Sequence, residues 1–249
     1  MTIFLFFFFL TLQLFHHLSA DDKSKVIPLV GELTENNFGF NDDVLETLRN
    51  DINIVFHGAA TIKFNTYLGQ AIKINLVGTK VVIDFVKSLH HLTSFIHIST
   101  AFCNSCYLNE MVKEEVYESE CDPYDMIKLV DKNNNAAIEL PQKGTKELTE
   151  ILKSHPNTYT FTKQLAENLI LMEMKDYPVG IIRPSVVYGT QTHPFPGWVG
   201  SANNGHIGFV AGFSKGLFRT MGGDTSSIMD LIPVDYVTNA RSEERRVGK

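Results

Sequence analysis

The chain has 249 residues, 44% of them hydrophobic and 20% charged, and a formal net charge of -6. This length and composition suit one globular domain with a large buried core and exclude a mainly disordered chain. The acidic balance, with no long basic run, argues against nucleic acid as the main partner and favours a small ligand. The three cysteines give neither an even-numbered disulfide framework nor a second pair for a zinc site, so no metal centre is expected.

The two ends differ in composition from the rest of the chain. Residues 1–20 form an apolar leader that is short for a membrane span. Its apolar centre resembles a signal peptide, but its start has no Lys or Arg, so an unrelated leader from a mis-assigned start is the open alternative. Residues 241–249, RSEERRVGK, look like a translated sequencing adapter, and we set them aside as a non-native scar. The native domain is therefore expected at residues 21–240.

Between these ends, short β-branched or aromatic runs alternate with longer segments of helical period. In chain order, the pattern predicts a strand at residues 26–30, a helix at 42–51, a strand at 53–61, a helix at 71–89, a strand at 94–100, a short helix at 145–152, a helix at 157–175 and a strand at 179–189. Residues 104–150 otherwise form a polar excursion whose clearest break is at 131–140. The alternation predicts an α/β fold, a doubly wound parallel sheet with helices on both faces.

Tyr159 and Lys163 lie four residues apart near the start of a helix that Asn157 is expected to cap. Residues at i and i+4 share a helix face, so the phenol and the ammonium can reach one small volume. A nearby cation stabilises phenolate and is expected to lower the tyrosine pKa from about 10, which suits proton transfer. The spacing alone is common on helix surfaces, so its meaning depends on what lies nearby.

Two hydroxyl residues, Ser99 and Thr100, come at the carboxyl end of the strand predicted at 94–100. Open α/β sheets place ligand-contacting residues at that edge. A hydroxyl there can donate to a carbonyl oxygen alongside Tyr159 and stabilise the oxyanion that develops during a reaction. A polar turn between strand and helix is the alternative for this pair.

The neighbouring strand ends carry small or rigid residues. The residues that end the previous strand are small enough for a flat ring or a backbone to approach closely; they are Gly58, Ala59 and Ala60. Pro184 interrupts the following strand, where its fixed φ can shape a turn that faces a cofactor. Together these ends predict a ligand site at one edge of the sheet.

With these motifs in place, the chain resembles the fatty acyl-CoA reductases, extended short-chain dehydrogenases/reductases, in their NAD(P)-binding domain. The resemblance covers residues 25–240. Its motifs occur in the family's order, and they are NIVFHGAAT, NLVGT, FIHISTAFCN, NTYTFTKQLAE, IIRPSVV, PFPGWV and IPVDYV. The resemblance implies a Rossmann-like form of the doubly wound sheet.

The resemblance implies a role for each matching residue. Tyr159 would be the proton donor, and Lys163 would bind the nicotinamide ribose and tune the tyrosine. Thr100, supported by Ser99, would bind the carbonyl oxygen, and Asn75 matches the family's active-site asparagine. The positions implied to line the cofactor are Gly58, Ala59, Ala60, Lys163, Pro184 and Glu32. The segment at 193–200 would border the acyl chain, whereas His57 and His193 are interpreted as packing or turn histidines.

The activity implied by the resemblance is NADPH-dependent reduction of a long-chain fatty acyl-CoA to a primary alcohol, with release of CoA. The partner would be the acyl-CoA, and membrane association would come through a C-terminal region beyond this chain. Two alternatives stay open: another extended reductase, acting on hydroxysteroids or sugar nucleotides, and an inactive fragment. The PFPGWV motif argues against another extended reductase. The leader suggests secretion, but the family suggests the cytosolic face of the endoplasmic reticulum membrane or of the peroxisome, which we expect.

The chain departs from the family's pattern near its start. The family has a first strand and a glycine-rich turn upstream of VIPLVGELT, and these let the cofactor pyrophosphate reach a helix N-terminus. No such glycine motif lies between a strand and a helix in this sequence. We therefore expect a sheet without that strand and turn, weak or absent dinucleotide binding and an exposed apolar flank. Glu32 also replaces the family's usual aspartate, which weakens its expected adenine contact.

Overall fold

The computed structural model describes residues 19–107, 111–131, 145–200 and 205–247. Its centre is a parallel sheet in the order β1-β2-β3, formed by β1 Ile54–His57, β2 Ser94–Ile98 and β3 Val179–Ile182. A second parallel pair joins β4 Val186–Tyr188 to β5 Leu231–Pro233. The predicted α/β class with parallel strands is confirmed.

The helices lie between and after these strands. In chain order they are α1 Ala20–Ser24, α2 Asp42–Asp51, α3 at Leu68–Ala71, Ile72–Val77 and Gly78–Lys87, α4 Pro123–Asp131, α5 Lys146–Leu152, α6 Thr158–Glu173, α7 Gly205–Ser214 and α8 Val234–Val247. The Asn41, Thr145 and Asn157 side chains cap α2, α5 and α6, each accepting a hydrogen bond from a backbone N–H. The predicted Asn157 cap is confirmed.

Helix α3 is continuous but not uniform. Its middle segment, Ile72–Val77, is π-helical, and α-helical turns flank it on both sides. Single π-helical turns inside α-helices are rare and often lie at functional sites. The widened turn contains Asn75, whose side chain bonds to the loop after β1. The apolar periodicity predicted the helix, but not this change in its winding.

The core lies between the sheet and the pair α3 and α6. Its fully buried members include Leu76 and Ile83 from α3, Phe95 from β2, and Leu165 and Leu169 from α6. Burying each such side chain contributes about 1.5–3 kcal/mol. The same packing holds α6, which carries Tyr159 and Lys163, against the end of β2.

The two outer strands of the sheet are only partly covered. Ile54, Val55 and Phe56 of β1 are half-buried, as are all four residues of β3. No strand among the described residues pairs with the outer edge of β1.

Some predicted elements differ from those observed. The strand predicted at 26–30 is wrong: only Leu29 forms an isolated bridge, because Pro28 has no N–H to donate and no described strand lies alongside. The strand predicted at 179–189 is two strands, since the chain leaves the first sheet around Pro184. Helix α4 was not predicted within the excursion. The break at 131–140 falls, from residue 132 on, outside the described residues.

The two unusual ends are only partly described. Of the leader at 1–20, the description covers residues 19 and 20, where α1 begins. Helix α8 continues through residue 247, into the segment set aside as a scar. Within the part of the chain that the structure describes, no helix combines the length and the apolar composition needed to cross a bilayer.

Candidate active site

The carboxyl end of β2 is held by backbone bonds that continue the ladder to β3. The Ser99 N–H donates to the Ile182 carbonyl at 2.7 Å, and the Ala101 N–H donates to the Pro184 carbonyl at 2.9 Å. Ser99 and Thr100 are both buried there. Pro184 therefore lies at the predicted edge, where its carbonyl helps to fix the turn that carries Thr100.

The Thr100 hydroxyl lies beside the Tyr159 phenol. Burial raises the pKa of Tyr159 above its usual value of 10.0, and an interaction with Thr100 partly opposes that rise. Phe64 packs against the ring of Tyr159, with the two centroids 5.7 Å apart. Thr100 and Tyr159 are thus close enough to interact, and their joint role at a carbonyl oxygen stays a prediction.

Lys163 is buried under this pair and points to β2. Its Nζ donates to the Ile98 carbonyl at 2.6 Å and lies 3.2 Å from His97 Nε2. Burial lowers the pKa of Lys163 to about 8, although the Glu167 carboxylate opposes the shift. The prediction that Lys163 lowers the Tyr159 pKa is wrong, because the ammonium bonds to the strand end and the phenol responds mainly to burial.

Asn75 joins α3 to α6 and to the loop after β1. Its Oδ1 accepts from the Thr61 N–H at 2.8 Å, and its Nδ2 donates to Thr162 Oγ1 at 2.9 Å and to the Thr61 carbonyl at 3.2 Å. Thr162 stands between Tyr159 and Lys163 on α6. The structure thus places Asn75 against the site helix, where its side chain fixes the loop that follows Gly58.

The small residues that follow β1 leave space at the carboxyl edge of the sheet. Gly58 is exposed, and a Cβ added there would meet the Ile98 side chain alone within 4 Å, at 3.6 Å. Ala59 and Ala60 are half-buried. Glu32 lies apart from this cluster, in a turn where its Oε1 accepts from the Thr34 N–H and hydroxyl at 3.1 and 2.9 Å. The structure does not bring Glu32 into hydrogen-bonding contact with the catalytic candidates.

Several buried groups behind the site were missed by the sequence analysis. Glu167 is fully buried and pairs with Arg183, while Cys103 Sγ donates to Glu167 Oε1 at 3.3 Å. Burial, reinforced by Glu167, raises the pKa of the Cys103 thiol to about 12, so this thiol is protonated. The helical spacing of Lys163 and Glu167 was a usable signal, but their partners lie on other elements.

The segment at 193–200 is held by two polar residues. Thr190 Oγ1 donates to the Phe195 carbonyl at 2.6 Å and accepts from the Trp198 N–H at 3.0 Å. Asp235 accepts from the backbone N–H groups of residues 191–193, and these hydrogen bonds, that of Gln191 first, hold the pKa of its carboxyl well below the usual range. His193 is exposed in this turn, as interpreted from the sequence. The described residues contain no cluster of three metal-ligating side chains.

Comparisons with known proteins agree with this architecture. A Drosophila melanogaster protein provisionally named a fatty acyl-CoA reductase is 48% identical over 227 residues, which are 91% of this chain and 41% of the relative. Fatty acyl-CoA reductase 1 of Gallus gallus is 34% identical over 222 residues, covering 88% of this chain and 41% of its own length. The chain thus spans about two-fifths of the curated relatives that it matches.

Solved structures share the fold at low sequence identity. The terminal R domain of the myxalamid PKS-NRPS pathway superposes with a TM-score of 0.64 at 17% identity, over 93% of this chain and 49% of that one. UDP-glucuronic acid 4-epimerase of Bacillus cereus, solved with NAD, gives 0.57 at 19% identity, over 93% and 61%. A family model for NAD-binding domains, described as male sterility protein, matches residues 8–241. The chain therefore belongs to the male sterility protein family of NAD-binding domains, which confirms its resemblance to the fatty acyl-CoA reductases.

Proposed function

We propose that the protein reduces a long-chain fatty acyl-CoA with NADPH to the primary alcohol and releases CoA. The observation that carries the proposal is that Thr100, at the end of β2, lies beside the Tyr159 phenol, while Lys163 of the same helix bonds to the Ile98 carbonyl of β2. The names of the relatives, which are fatty acyl-CoA reductases, support the substrate class. We extend the proposal to the compartment expected from the family, the cytosolic face of the endoplasmic reticulum membrane or of the peroxisome.

The two hydroxyls suit a carbonyl site because both can donate to one oxygen. Donors fixed beforehand at the position of a developing negative charge stabilise the transition state. Since burial raises the pKa of Tyr159, the phenol keeps its proton at neutral pH and can act as the acid. Lys163 would therefore serve to bind the cofactor and not to activate the phenol.

The described residues fit one half of a nicotinamide dinucleotide. Lys163 offers a buried cation, Gly58 leaves the sheet edge open, and the buried Ser99 hydroxyl lies beside Cys103. When bound, the nicotinamide supplies the hydride that the carbonyl carbon receives. Lys163 would bind the ribose hydroxyls, with Ala59, Ala60 and Pro184 alongside. No glycine-rich turn stands among the described residues to receive the pyrophosphate.

The reaction consists of two reductions at this site. In the first, the thioester carbonyl gains a hydride and a proton, and the hemithioacetal then breaks its C–S bond to give the aldehyde and CoA thiol. In the second, the aldehyde gains another hydride, and Tyr159 donates its proton to the alkoxide oxygen. Each round consumes one NADPH, and Tyr159 recovers its proton from solvent. Phe195 and Val199, exposed on the segment at 193–200, would border the acyl chain.

Alcohol formation from palmitoyl-CoA and NADPH tests the proposal. The transcript upstream of residue 21 is sequenced first, and the assay uses the chain completed by any glycine-rich turn found there. A hydroxysteroid and a UDP-sugar serve as competing substrates, and Tyr159→Phe is the matched variant. Hexadecanol formed by the wild type alone supports the proposal. Turnover of the steroid or the sugar nucleotide, with no hexadecanol, would contradict it.

A separate titration addresses the open alternative of an inactive fragment. NADPH is added to the chain as given, and its binding is followed by nicotinamide fluorescence. We expect weak or absent binding because the sequence offers no glycine-rich turn for the pyrophosphate. Micromolar affinity would contradict that expectation and remove the argument for an inactive fragment.

A further inference from the structure

Two histidines stand side by side beneath the site on neighbouring strands. His57 ends β1 and is paired in register with His97 of β2, and their ring centroids are 5.1 Å apart. Both are buried, with exposures of 4% and 0%. Only His97 is within hydrogen-bonding distance of Lys163, at 3.2 Å between Nε2 and Nζ. The two rings therefore share an environment but have different partners.

The partner of His57 fixes its tautomer. Thr79 Oγ1 donates its single proton to the Asn75 carbonyl at 2.6 Å. That hydroxyl can then only accept from His57 Nε2, which lies 3.0 Å away. Burial, together with the charge of Lys163, lowers the pKa of His57 to about 3, so the ring is neutral. His57 is therefore the Nε2–H tautomer.

The partner of His97 fixes the opposite tautomer. An ammonium has three donors and no acceptor, so His97 Nε2 must accept from Lys163. Burial, the Lys163 charge and His57 all lower the pKa of His97 well below its usual value, and the ring is neutral. Its proton is then on Nδ1, which is buried and has no hydrogen-bond partner among the described residues. A buried donor without a partner lowers the free energy of unfolding, so His97 destabilises the fold in this respect.

The partners of Lys163 are all uncharged. The ammonium contacts a carbonyl and an imidazole, and it forms no salt bridge with any described carboxylate. Glu167, one turn further along α6, directs its carboxylate to Arg183 instead. The arrangement thus orients the cation without neutralising it, and two of its three N–H groups are engaged.

We propose that His97 is a positioning residue whose neutral Nδ1–H imidazole, together with the Ile98 carbonyl, orients the Lys163 ammonium and leaves its third N–H for the dinucleotide. Only the identity of that last acceptor rests on the proposed function. The orientation itself follows from the contacts of Lys163 with β2. A residue without an acceptor at position 97 would leave the ammonium held by the Ile98 carbonyl alone.

Nitrogen-15 NMR of the histidine rings tests the orientation without any cofactor. We expect two neutral rings of opposite tautomer, Nε2–H for His57 and Nδ1–H for His97. His97→Gln assigns the His97 signals by their loss, and His57→Gln assigns those of His57. A charged His97, or a His97 of the Nε2–H tautomer at neutral pH, would overturn the proposal. This result does not depend on whether the protein binds NADPH.

Dinucleotide affinity tests the consequence, in the chain completed as above. His97→Gln keeps an acceptor within reach of Lys163, whereas His97→Met keeps the volume and removes it. We expect His97→Met to weaken NADPH binding by at least about tenfold and His97→Gln to restore most of the affinity, because a hydrogen bond to a charged group is worth that much. His155→Gln, another buried histidine without contact to Lys163, controls for general loss of packing.

The outcomes separate the two proposals. Equal affinity in His97→Met and the wild type, or equal losses in His97→Met and His97→Gln, would overturn the positioning role. A wild type that binds no dinucleotide at all would instead sink the proposed function, and the tautomers would still decide the role of His97. If His97→Met does not fold, as judged by circular dichroism, the NMR result and His97→Gln carry the test.

Discussion

Arg183 and Glu167 form a two-pronged ion pair behind the site, with Nε 2.9 Å from Oε1 and the terminal Nη2 nitrogen 2.5 Å from Oε2. Glu167 is 0% exposed, and its side chain also accepts from the Cys103 thiol. Arg183 further donates to the Glu115 carbonyl at 2.8 Å. This pair ties α6 to the point where the chain leaves β3, and so it supports the helix that carries Tyr159 and Lys163.

Replacing Arg183 tests the importance of this pair. Arg183→Met leaves the Glu167 carboxylate buried without its cation, and removing one partner of a buried pair costs about 3–5 kcal/mol. We expect the free energy of unfolding, measured in urea by circular dichroism, to fall by that amount. The double variant Glu167→Leu/Arg183→Met should recover most of the loss, because two apolar groups leave no unpaired charge.

An exposed pair provides the control. Lys128 lies 2.8 Å from Asp125 on α4, and both side chains are more than half exposed. Lys128→Met should leave the unfolding curve unchanged, because exposed pairs contribute little. If Arg183→Met were equally silent, the buried pair would not stabilise α6.

Tyr159→Phe tests the proton donor. The variant removes only the hydroxyl beside Thr100, and the ring keeps its packing against Phe64. We expect the rate of palmitoyl-CoA reduction to fall by about 100-fold to 10,000-fold, the usual contribution of a positioned acid. Tyr124→Phe, which removes a hydroxyl bonded to Glu173 away from the site, should keep full activity. Similar rates in both variants would exclude Tyr159 as the acid.

Lys163→Met should separate stability from activity. Its pKa of about 8 lies below the usual 10.5, so the unfolded chain binds the proton more tightly. The charged form therefore opposes folding below pH 8, by about 3 kcal/mol at pH 7, and this penalty disappears as pH rises to 10.5. We expect Lys163→Met to unfold at the same or a higher urea concentration at pH 7, and to lose dinucleotide binding when it is made in the chain completed as above.

The pH dependence of stability checks that the buried charge of Lys163 is the cause. The advantage of Lys163→Met over the wild type should shrink between pH 8 and 10.5, where the folded wild type releases its proton. In the completed chain, wild-type dinucleotide affinity should also fall as pH rises through 8. A large loss of stability in Lys163→Met at pH 7 would mean that the hydrogen bonds to β2 outweigh the cost of the buried charge.

The sequence predicted the parts of this site that follow local rules. Tyr159 and Lys163 share a helix face, and Thr100 follows a strand end, so their convergence was accessible from spacing alone. The contact of Lys163 with His97 could not be predicted in this way, because it depends on the strand register and on how α6 packs on the sheet. Arg183 was missed for the same reason. The strand predicted at 26–30 failed because pairing needs a neighbour, which a local pattern does not reveal.

Asp235→Asn should loosen the segment at 193–200. The Asp235 carboxylate accepts from three backbone N–H groups and the Thr192 hydroxyl, whereas an amide has one acceptor oxygen and would direct its own N–H groups at donors. The reporter is Trp198, the single tryptophan of the chain, which is half-buried in this segment. We expect its fluorescence to shift toward that of an exposed indole.

The same substitution also predicts how stability changes at low pH. Hydrogen bonds hold the pKa of Asp235 below its usual 3.8, so the stabilisation that it provides is present above that value and is lost as pH falls through the lower, folded pKa. The wild type and Asp235→Asn should therefore differ in stability at pH 6 and converge as pH falls below 3.8. Asp224→Asn, in an exposed turn with Ser226, controls for the loss of one carboxylate. A constant difference down to pH 2 would show that the loop does not depend on the ionised form of Asp235.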